Sequence, residues 1–237
     1  MDLDGRSAIV TGASTGIGRA TAMTLADAGA RVGLGARTTA KLEEVADEIE
    51  DAGGNALVLP TDVRDRDQVE SMITTARDAF GRLDIMVNNA GVGHWKREGV
   101  LDSDLDEWTT EIEVNLLGVM YGTHFAAKVM EKAGSGDIVN IGSGSGRSTS
   151  QPWLGYVASK WGVRGFTESS RRDLREAGIR VTHLVPGAVK TPIQPAESIE
   201  SMHGLEPADV ADAILYAVSR PEHVCVNELM IVPSGRG

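Results

Sequence analysis

Cysteine is nearly absent from this chain of 237 residues, with Cys225 the single example. It cannot pair within the chain, so a disulfide framework is excluded and a reducing cytoplasm is the expected compartment. Between Val224 and Val226 it reads as a small buried hydrophobe rather than a nucleophile. Long apolar runs are missing too: none approaches the roughly 18 residues of a membrane span. The opening Met1-Asp2-Leu3-Asp4-Gly5-Arg6 has no apolar core of a signal peptide, and no membrane partner is expected. The histidines (94, 124, 183, 203 and 223) are scattered without close pairing, so no metal site is expected. Positive charge is in deficit, with 23 Lys and Arg against 34 Asp and Glu and a formal net charge of −11. A surface of that sign repels phosphate backbones, which argues against nucleic acid as a partner. It reads as a well-solvated surface, with adaptation to salt left open.

What is present is an ordinary globular balance, 41% hydrophobic and 24% charged. The length suits one domain over residues 1–237, because single cores stop growing at roughly 250–300 residues. Short apolar runs alternate with longer amphipathic segments. Strands are expected at 7–10, 31–36, 56–59, 83–87, 137–141, 179–185 and 228–232. Helices are expected from the glycine-rich turn to residue 28, then over 38–52, 65–80, 105–132, 155–177 and 207–219. Glycines 29, 53, 81 and 134 supply the stops. Gly33 and Gly35 weaken the second strand. This alternation predicts a parallel sheet of about seven strands with helices on both faces.

Gly12, Gly16 and Gly18 fall between the first strand and the first helix. Glycine there permits a tight turn and close backbone approach to a pyrophosphate, and the helix start offers free amides and a positive dipole end. The alternative is merely a tight strand-to-helix turn, and the spacing is not G-x-G-x-x-G. About 20 residues on, an acidic residue would bind the ribose hydroxyl of NAD. Here Ala36 is followed by Arg37 with no Asp or Glu nearby. Arginine can pair with the 2′-phosphate of NADP; the other reading is a surface arginine at the start of a helix.

The chain resembles the short-chain dehydrogenase/reductase family. Thr11, Gly12, Gly16 and Gly18 match that family's T-G-x-x-x-G-x-G motif, and Asn88-Asn89-Ala90-Gly91 matches its N-N-A-G motif. Asn115, Ser143, Tyr156 and Lys160 match its catalytic tetrad in identity and order, and Pro186-Gly187 and Thr191 match the segment after the sixth strand. The resemblance implies a Rossmann-type doubly wound α/β fold and an NADP(H)-dependent oxidoreductase interconverting a carbonyl and an alcohol. It implies cofactor contacts from Gly12, Ser14, Thr15, Gly16, Ile17, Gly18 and Arg37. Asp62 would contact adenine, with Val63 beside it, and Asn89, Ala90 and Gly91 would line the cleft. Tyr156 and Lys160 would meet the nicotinamide riboside, Pro186 and Gly187 would flank it, and Val189 and Thr191 would hold the carboxamide. Asn115 would hold a water in a proton relay through Lys160. Asp62 could otherwise simply cap a helix start.

Residue chemistry agrees with the tetrad. Tyr156 and Lys160 are four apart, so on a helix they share a face. A neighbouring ammonium, and the positive ring of an oxidised cofactor, would favour the phenolate and lower a phenol pKa that is ordinarily near 10. Tyr156 would then serve as general acid in reduction and general base in oxidation. Ser143, just past the fifth strand, could hydrogen-bond the substrate oxygen. Taken alone, a Tyr–Lys pair is a surface pair, the Ser143 loop a flexible Gly/Ser stretch, and Asn115 a satisfied core amide.

Residues 205–211 and 225–234 look like the subgroup holding NADP-dependent 3-hydroxy acid dehydrogenases and related aldehyde or ketone reductases. His94, Trp95, Ser145, Trp153, Ile193 and Gln194 flank the motifs and are expected to line the substrate pocket, with 191–204 as a short lid. Lys96, Arg97 and Arg147 are read as solvated rather than bound to a substrate carboxylate. Two readings compete: a non-catalytic redox sensor on the same fold, which would be expected to lose a tetrad member, and an NAD-linked alcohol dehydrogenase, which Arg37 disfavours. Val119, Phe125, Val129, Trp161 and Phe166 exceed what one sheet face needs. With the family's paired helices, they lead to an expected homotetramer, or failing that a dimer, with residues 225–232 at a second contact.

Overall fold

The computed structural model describes residues 2–95, 99–149, 153–194, 196–199 and 202–235. The strands are β1 (Ser7–Thr11), β2 (Arg31–Ala36), β3 (Asn55–Pro60), β4 (Ile85–Asn88), β5 (Gly136–Ile141), β6 (Ile179–Pro186) and β7 (Glu228–Ile231). All pair in parallel, in the order β3-β2-β1-β4-β5-β6-β7. The chain leaves β1 in one direction toward β3 and resumes at β4 on β1's other side. The switch point between β1 and β4 is where an open parallel sheet forms its crevice. The fold is therefore the expected doubly wound α/β sheet, flanked by helices.

Residues alternate between the two sheet faces at a period of two. Ala8 and Val10 join a core with α1 (Gly16–Asp27), α2 (Thr39–Asp51) and α8 (Pro207–Val218), whereas Ile9, between them, joins a second core with α3 (Arg66–Phe80) and α5 (Gly118–Ala133). Strands β1, β4 and β5 are buried throughout, as parallel strands covered on both faces must be. The glycines of β2 fit that crowding. A Cβ at Gly33 would lie 2.8 Å from Leu59, and one at Gly35 would lie 2.7 Å from Met72.

The expected continuous helix over 105–132 is built differently. It starts as α4 (Leu105–Ile112), widens into a π turn at Glu113–Leu117 that contains Asn115, and continues as α5 to Ala133. A π turn admits an extra residue and recurs at functional sites. The next long helix, α6 (Leu154–Asp173), tightens into a 3₁₀ turn at Leu174–Ala177 before Gly178. The fourth strand begins two residues later than expected, at Ile85, and the Asp84 carboxylate just before it accepts from the Ser7 amide at 2.8 Å and from Arg82 at 2.6 Å.

Two expectations are corrected. Cys225 is exposed, because the segment between α8 and β7 runs over the surface at the edge of the sheet. Val119 and Phe125 are buried in their own chain, Phe125 in the second core, so neither is free for a partner. Trp161 does remain 43% exposed.

Beneath the loop that follows β5, His183 of β6 is only 3% exposed. Its Nδ1 lies 3.0 Å from Glu228 of β7, while its Nε2 is buried without a hydrogen-bond partner among the described residues. Glu228 also binds Arg147, which ties the loop to the sheet edge. Burial, then the charges of Arg147, Lys160, Arg164 and Arg171, pull the imidazole down to about 4. The neutral ring thus donates Nδ1–H to Glu228 and keeps Nε2 as a buried acceptor.

The folded pKa lies below the unfolded one, so the associated stability is complete above about pH 6.5 and is lost as pH falls toward 4. At about pH 4.5 the loss is roughly 2–3 kcal/mol. Urea unfolding at about pH 7 and about pH 4.5 should show that much extra acid destabilisation in the natural protein over His183→Gln. Equal pH dependence of the two would contradict the assignment.

Candidate active site

One cavity of about 510 Å³ opens at the C-terminal ends of the central strands. Its wall joins the turn after β1 (Gly12, Ser14, Thr15, Gly16 and Ile17), the end of β2 (Ala36, Arg37 and Thr38) and the end of β3 (Thr61, Asp62 and Val63). The loop after β4 adds residues 89–94, and Val114, Ile141, Gly142, Ser143, Tyr156, Lys160, Pro186, Gly187, Val189 and residues 191–194 complete it. All the expected cofactor residues except Gly18 stand in this wall. Gly18 lies behind it, where a Cβ would collide with the Gly12 carbonyl oxygen.

The turn after β1 is shaped for a large anion. Gly12 and Gly16 hold φ of 67° and 54°, a region that favours glycine. A Cβ on Gly12 would come within 2.9 Å of the Ala90 backbone. Thr15 caps α1 without a side-chain bond, and the first turn of α1 carries no acidic residue, so its amides and dipole face the cavity uncompensated by the helix's own side chains. These features fit the diphosphate of a nicotinamide dinucleotide. At the far end, Asp62 is held below the usual carboxylate range, chiefly by its hydrogen bonds from Arg64. Among the described residues no hydrogen bond or ion pair claims exposed Arg37. Asp62 caps no helix; Asp65 caps α3 instead.

Polar locks set the backbone around the cavity. Thr11 Oγ1 accepts from the amides of Asn89 and Ala90 at 3.0 and 3.1 Å, and Asn89 Nδ2 donates to the Thr11 carbonyl at 2.8 Å. From the other side, Asn115 accepts from the Val92 amide at 2.8 Å and donates to the Val92 carbonyl at 2.9 Å and to Ser159 Oγ at 3.1 Å. Asn115 is completely buried, so its amide is committed to the loop rather than presented to the cavity.

Ser143, Tyr156 and Lys160 come together on the wall. Ser143 caps a 3₁₀ turn, Gly144–Gly146, and its Oγ accepts from the Ser145 amide at 3.1 Å. Burial pushes the Tyr156 phenol up, a hydrogen bond with Ser143 opposes this, and the charge of Glu111 adds to the rise. Burial also pulls Lys160 down to about 8. Its Nζ donates to the Ile141 carbonyl at 3.0 Å and stands 5.7 Å from the Tyr156 ring centroid. In the protein without cofactor, burial outweighs the Ser143 hydrogen bond and favours the protonated phenol.

Of the expected substrate-pocket residues, His94, Ile193 and Gln194 stand in the wall. Trp95 packs edge-on against Trp153 at 4.4 Å and tilts over Tyr156 at 5.1 Å, and its Nε1–H donates to the Ile193 carbonyl. Ser145 serves Ser143 instead. Arg147 is bound to Glu228, and Lys96 and Arg97 lie outside the described residues. The lid segment carries a short helix, α7 (Ala196–Ile199), and its base is pinned by a bridge between Val189 and Leu205. Sequence reasoning passed over Glu111, a carboxylate buried beside Tyr156. The available signal was its place one helical turn before Asn115 on the inward face.

Comparison with known proteins agrees with this geometry. Residues 6–201 match the sequence pattern of the short chain dehydrogenase family. The chain is 37% identical over 231 residues to an uncharacterized oxidoreductase of Staphylococcus aureus strain USA300, covering 98% of each. It superposes with a TM-score of 0.87 on a metagenomic short-chain oxidoreductase in complex with NADP, at 34% identity and covering 99% of both chains. An alcohol dehydrogenase from the archaeon Thermococcus sibiricus complexed with 5-hydroxy-NADP gives 0.89 at 31% identity, covering 98% of both. The doubly wound sheet, the glycine turn at its switch point and these likenesses together place the chain in the short-chain dehydrogenase/reductase family, as an oxidoreductase that uses a nicotinamide cofactor on small molecules.

Proposed function

We propose that this enzyme is an NADP(H)-dependent oxidoreductase interconverting a carbonyl and a primary or secondary alcohol, with Tyr156 as general acid and base. It works as one domain over residues 1–237 with a lid at 191–204. The observation that carries this reading is the convergence of a protonated, buried phenol, a hydroxyl and a buried amine on the wall of a cavity whose other end is a glycine-built anion cradle. NADP in one structural neighbour and 5-hydroxy-NADP in another support the cofactor, as does unclaimed Arg37 beside Thr38.

When bound, the nicotinamide supplies the hydride for reduction or takes it up in oxidation. Gly12, Ser14, Thr15, Gly16 and Ile17 hold the diphosphate, with Gly18 behind them, and Arg37 takes the 2′-phosphate. Asp62 and Val63 flank the adenine, and Asn89, Ala90 and Gly91 form the floor. Pro186, Gly187, Val189 and Thr191 hold the nicotinamide end. Ser143 donates its hydroxyl hydrogen to the substrate oxygen, where negative charge grows in reduction. Tyr156 delivers its proton to that oxygen, and the Lys160 ammonium stabilises the phenolate left behind. Asn115 acts by fixing the loop that faces them. Because Lys160 titrates at about 8, reduction weakens as pH rises through that value and the ammonium is lost.

The protein assembles as a homotetramer. Leu154 and Trp161 leave an apolar patch on α6, while Tyr216, Met230 and Val232 leave another near the β7 edge. Two separate patches, each paired with its own copy about a two-fold axis, would generate a tetramer.

Tyr156→Phe should cut turnover by roughly 10²–10⁴ while NADPH binding, followed by cofactor fluorescence, persists. Near-normal turnover would remove Tyr156 from the role. In the same assay Arg37→Ala should raise the KM for NADPH far more than that for NADH; equal use of both cofactors by the natural enzyme would contradict the NADP assignment. Light scattering at micromolar concentration should give four times the mass of the chain, and a stable monomer would refute the assembly.

A further inference from the structure

The wall beside Tyr156 holds a pair of groups that proton transfer does not require. Glu111 lies on α4 with only 2% of its surface exposed. A buried carboxylate is costly unless something nearby compensates it. Burial pushes Glu111 up, and His94 opposes that through its backbone amide and its ring, while Glu107 on the same helix adds to the rise. The His94 amide donates to Glu111 Oε1 at 2.8 Å, and His94 Nδ1 lies 3.3 Å from the same oxygen. Nδ1 is buried and forms no hydrogen bond of good geometry among the described residues, whereas the side chain as a whole is 33% exposed and stands in the cavity wall. The fold makes room for this pair: a Cβ on Gly155, next to Tyr156, would collide with Glu111 Oε2.

We propose that His94 determines substrate specificity by hydrogen-bonding an oxygen carried on the carbon next to the reacting carbonyl, with Glu111 as the positioning residue that aims and polarises the ring. The substrate class is the α-oxygenated ketones and aldehydes and the vicinal diols they yield. This deepens the carbonyl/alcohol reading and rests on it. The carboxylate holds the loop amide at 2.8 Å and lies 3.3 Å from one edge of the ring, so the segment that carries the imidazole is set before substrate arrives. Trp95, tilted over Tyr156, supplies an apolar surface beside the reacting group. A site of this kind discriminates against an analogue that lacks the oxygen, because the ring is then left without a partner.

Hydroxyacetone and butanone test the assignment, since they differ only in a hydroxyl against a methyl. With NADPH, kcat/KM of the natural enzyme should favour hydroxyacetone by at least about tenfold, the order expected for a hydrogen bond to a polarised group. His94→Ala should bring that ratio to near one. His94→Gln, whose amide offers both an acceptor and a donor, should recover part of it. Glu111→Gln can still accept from the His94 amide, so it should keep the unfolding temperature within a few degrees while lowering the ratio. A merely structural Glu111 would lower stability and leave the ratio alone. A ratio near one in the natural enzyme, or an unchanged ratio in both His94→Ala and Glu111→Gln, overturns the proposal. Binding of the two ketones read by tryptophan fluorescence separates this from the redox reading. If neither ketone is turned over, yet hydroxyacetone binds more tightly than butanone and His94→Ala abolishes the difference, carbonyl reduction of these ketones fails and the His94 site stands. Equal binding of both ketones removes the site.

Discussion

The loop after β4 is held from two sides, and the geometry of the whole cavity follows from that. Thr11, at the end of β1, binds the start of the loop through three hydrogen bonds, and Asn115, in the π turn, closes on Val92 through two more. The glycine turn after β1 and the cavity wall that carries Val92 and His94 are thereby parts of one hydrogen-bonded assembly. The π turn matters because it sets Asn115 inward at complete burial, where an amide must satisfy all its groups within the protein. Replacing the amide would release Val92 and with it the His94 segment of the wall.

Burial sets the proton chemistry around that assembly. The phenol of Tyr156 is pushed up, the amine of Lys160 is brought down to about 8, and His183 is kept neutral. Each shift has the same first cause, loss of water around the charged form. The cavity wall therefore holds a phenol that burial keeps protonated and an amine that burial brings down to about 8. Glu111 brings the only carboxylate among the described residues whose charge is felt at Tyr156, and it favours the protonated phenol.

Much of this was legible in the residues themselves. Strand–helix alternation and the glycine stops gave the order of elements, because a parallel sheet buried on both faces demands apolar runs of that length. The glycine turn and the spacing of Tyr156 and Lys160 were readable because they are local. What the sequence did not carry arises at a distance. The π turn leaves no mark in an amphipathic pattern that reads as one long helix. The exposure of Cys225 depends on where the chain runs after α8 rather than on its valine neighbours. Val119 and Phe125 looked surplus until the packing of α3 against α5 placed Phe125 in a core of its own chain. The pairing of Glu111 with His94 joins a helix to a loop 17 residues away, and neither residue announces the other.

Isotope transfer tests the central claim most directly. The enzyme is incubated with NADPH carrying deuterium at both positions of the reactive nicotinamide carbon and with a panel of ketones and aldehydes, and the products are read by mass spectrometry. Direct hydride transfer in this cavity predicts an alcohol with one deuterium on the carbinol carbon, and none acquired there when the label is in the solvent instead. Retention of the deuterium on the cofactor with every carbonyl tried would contradict the account.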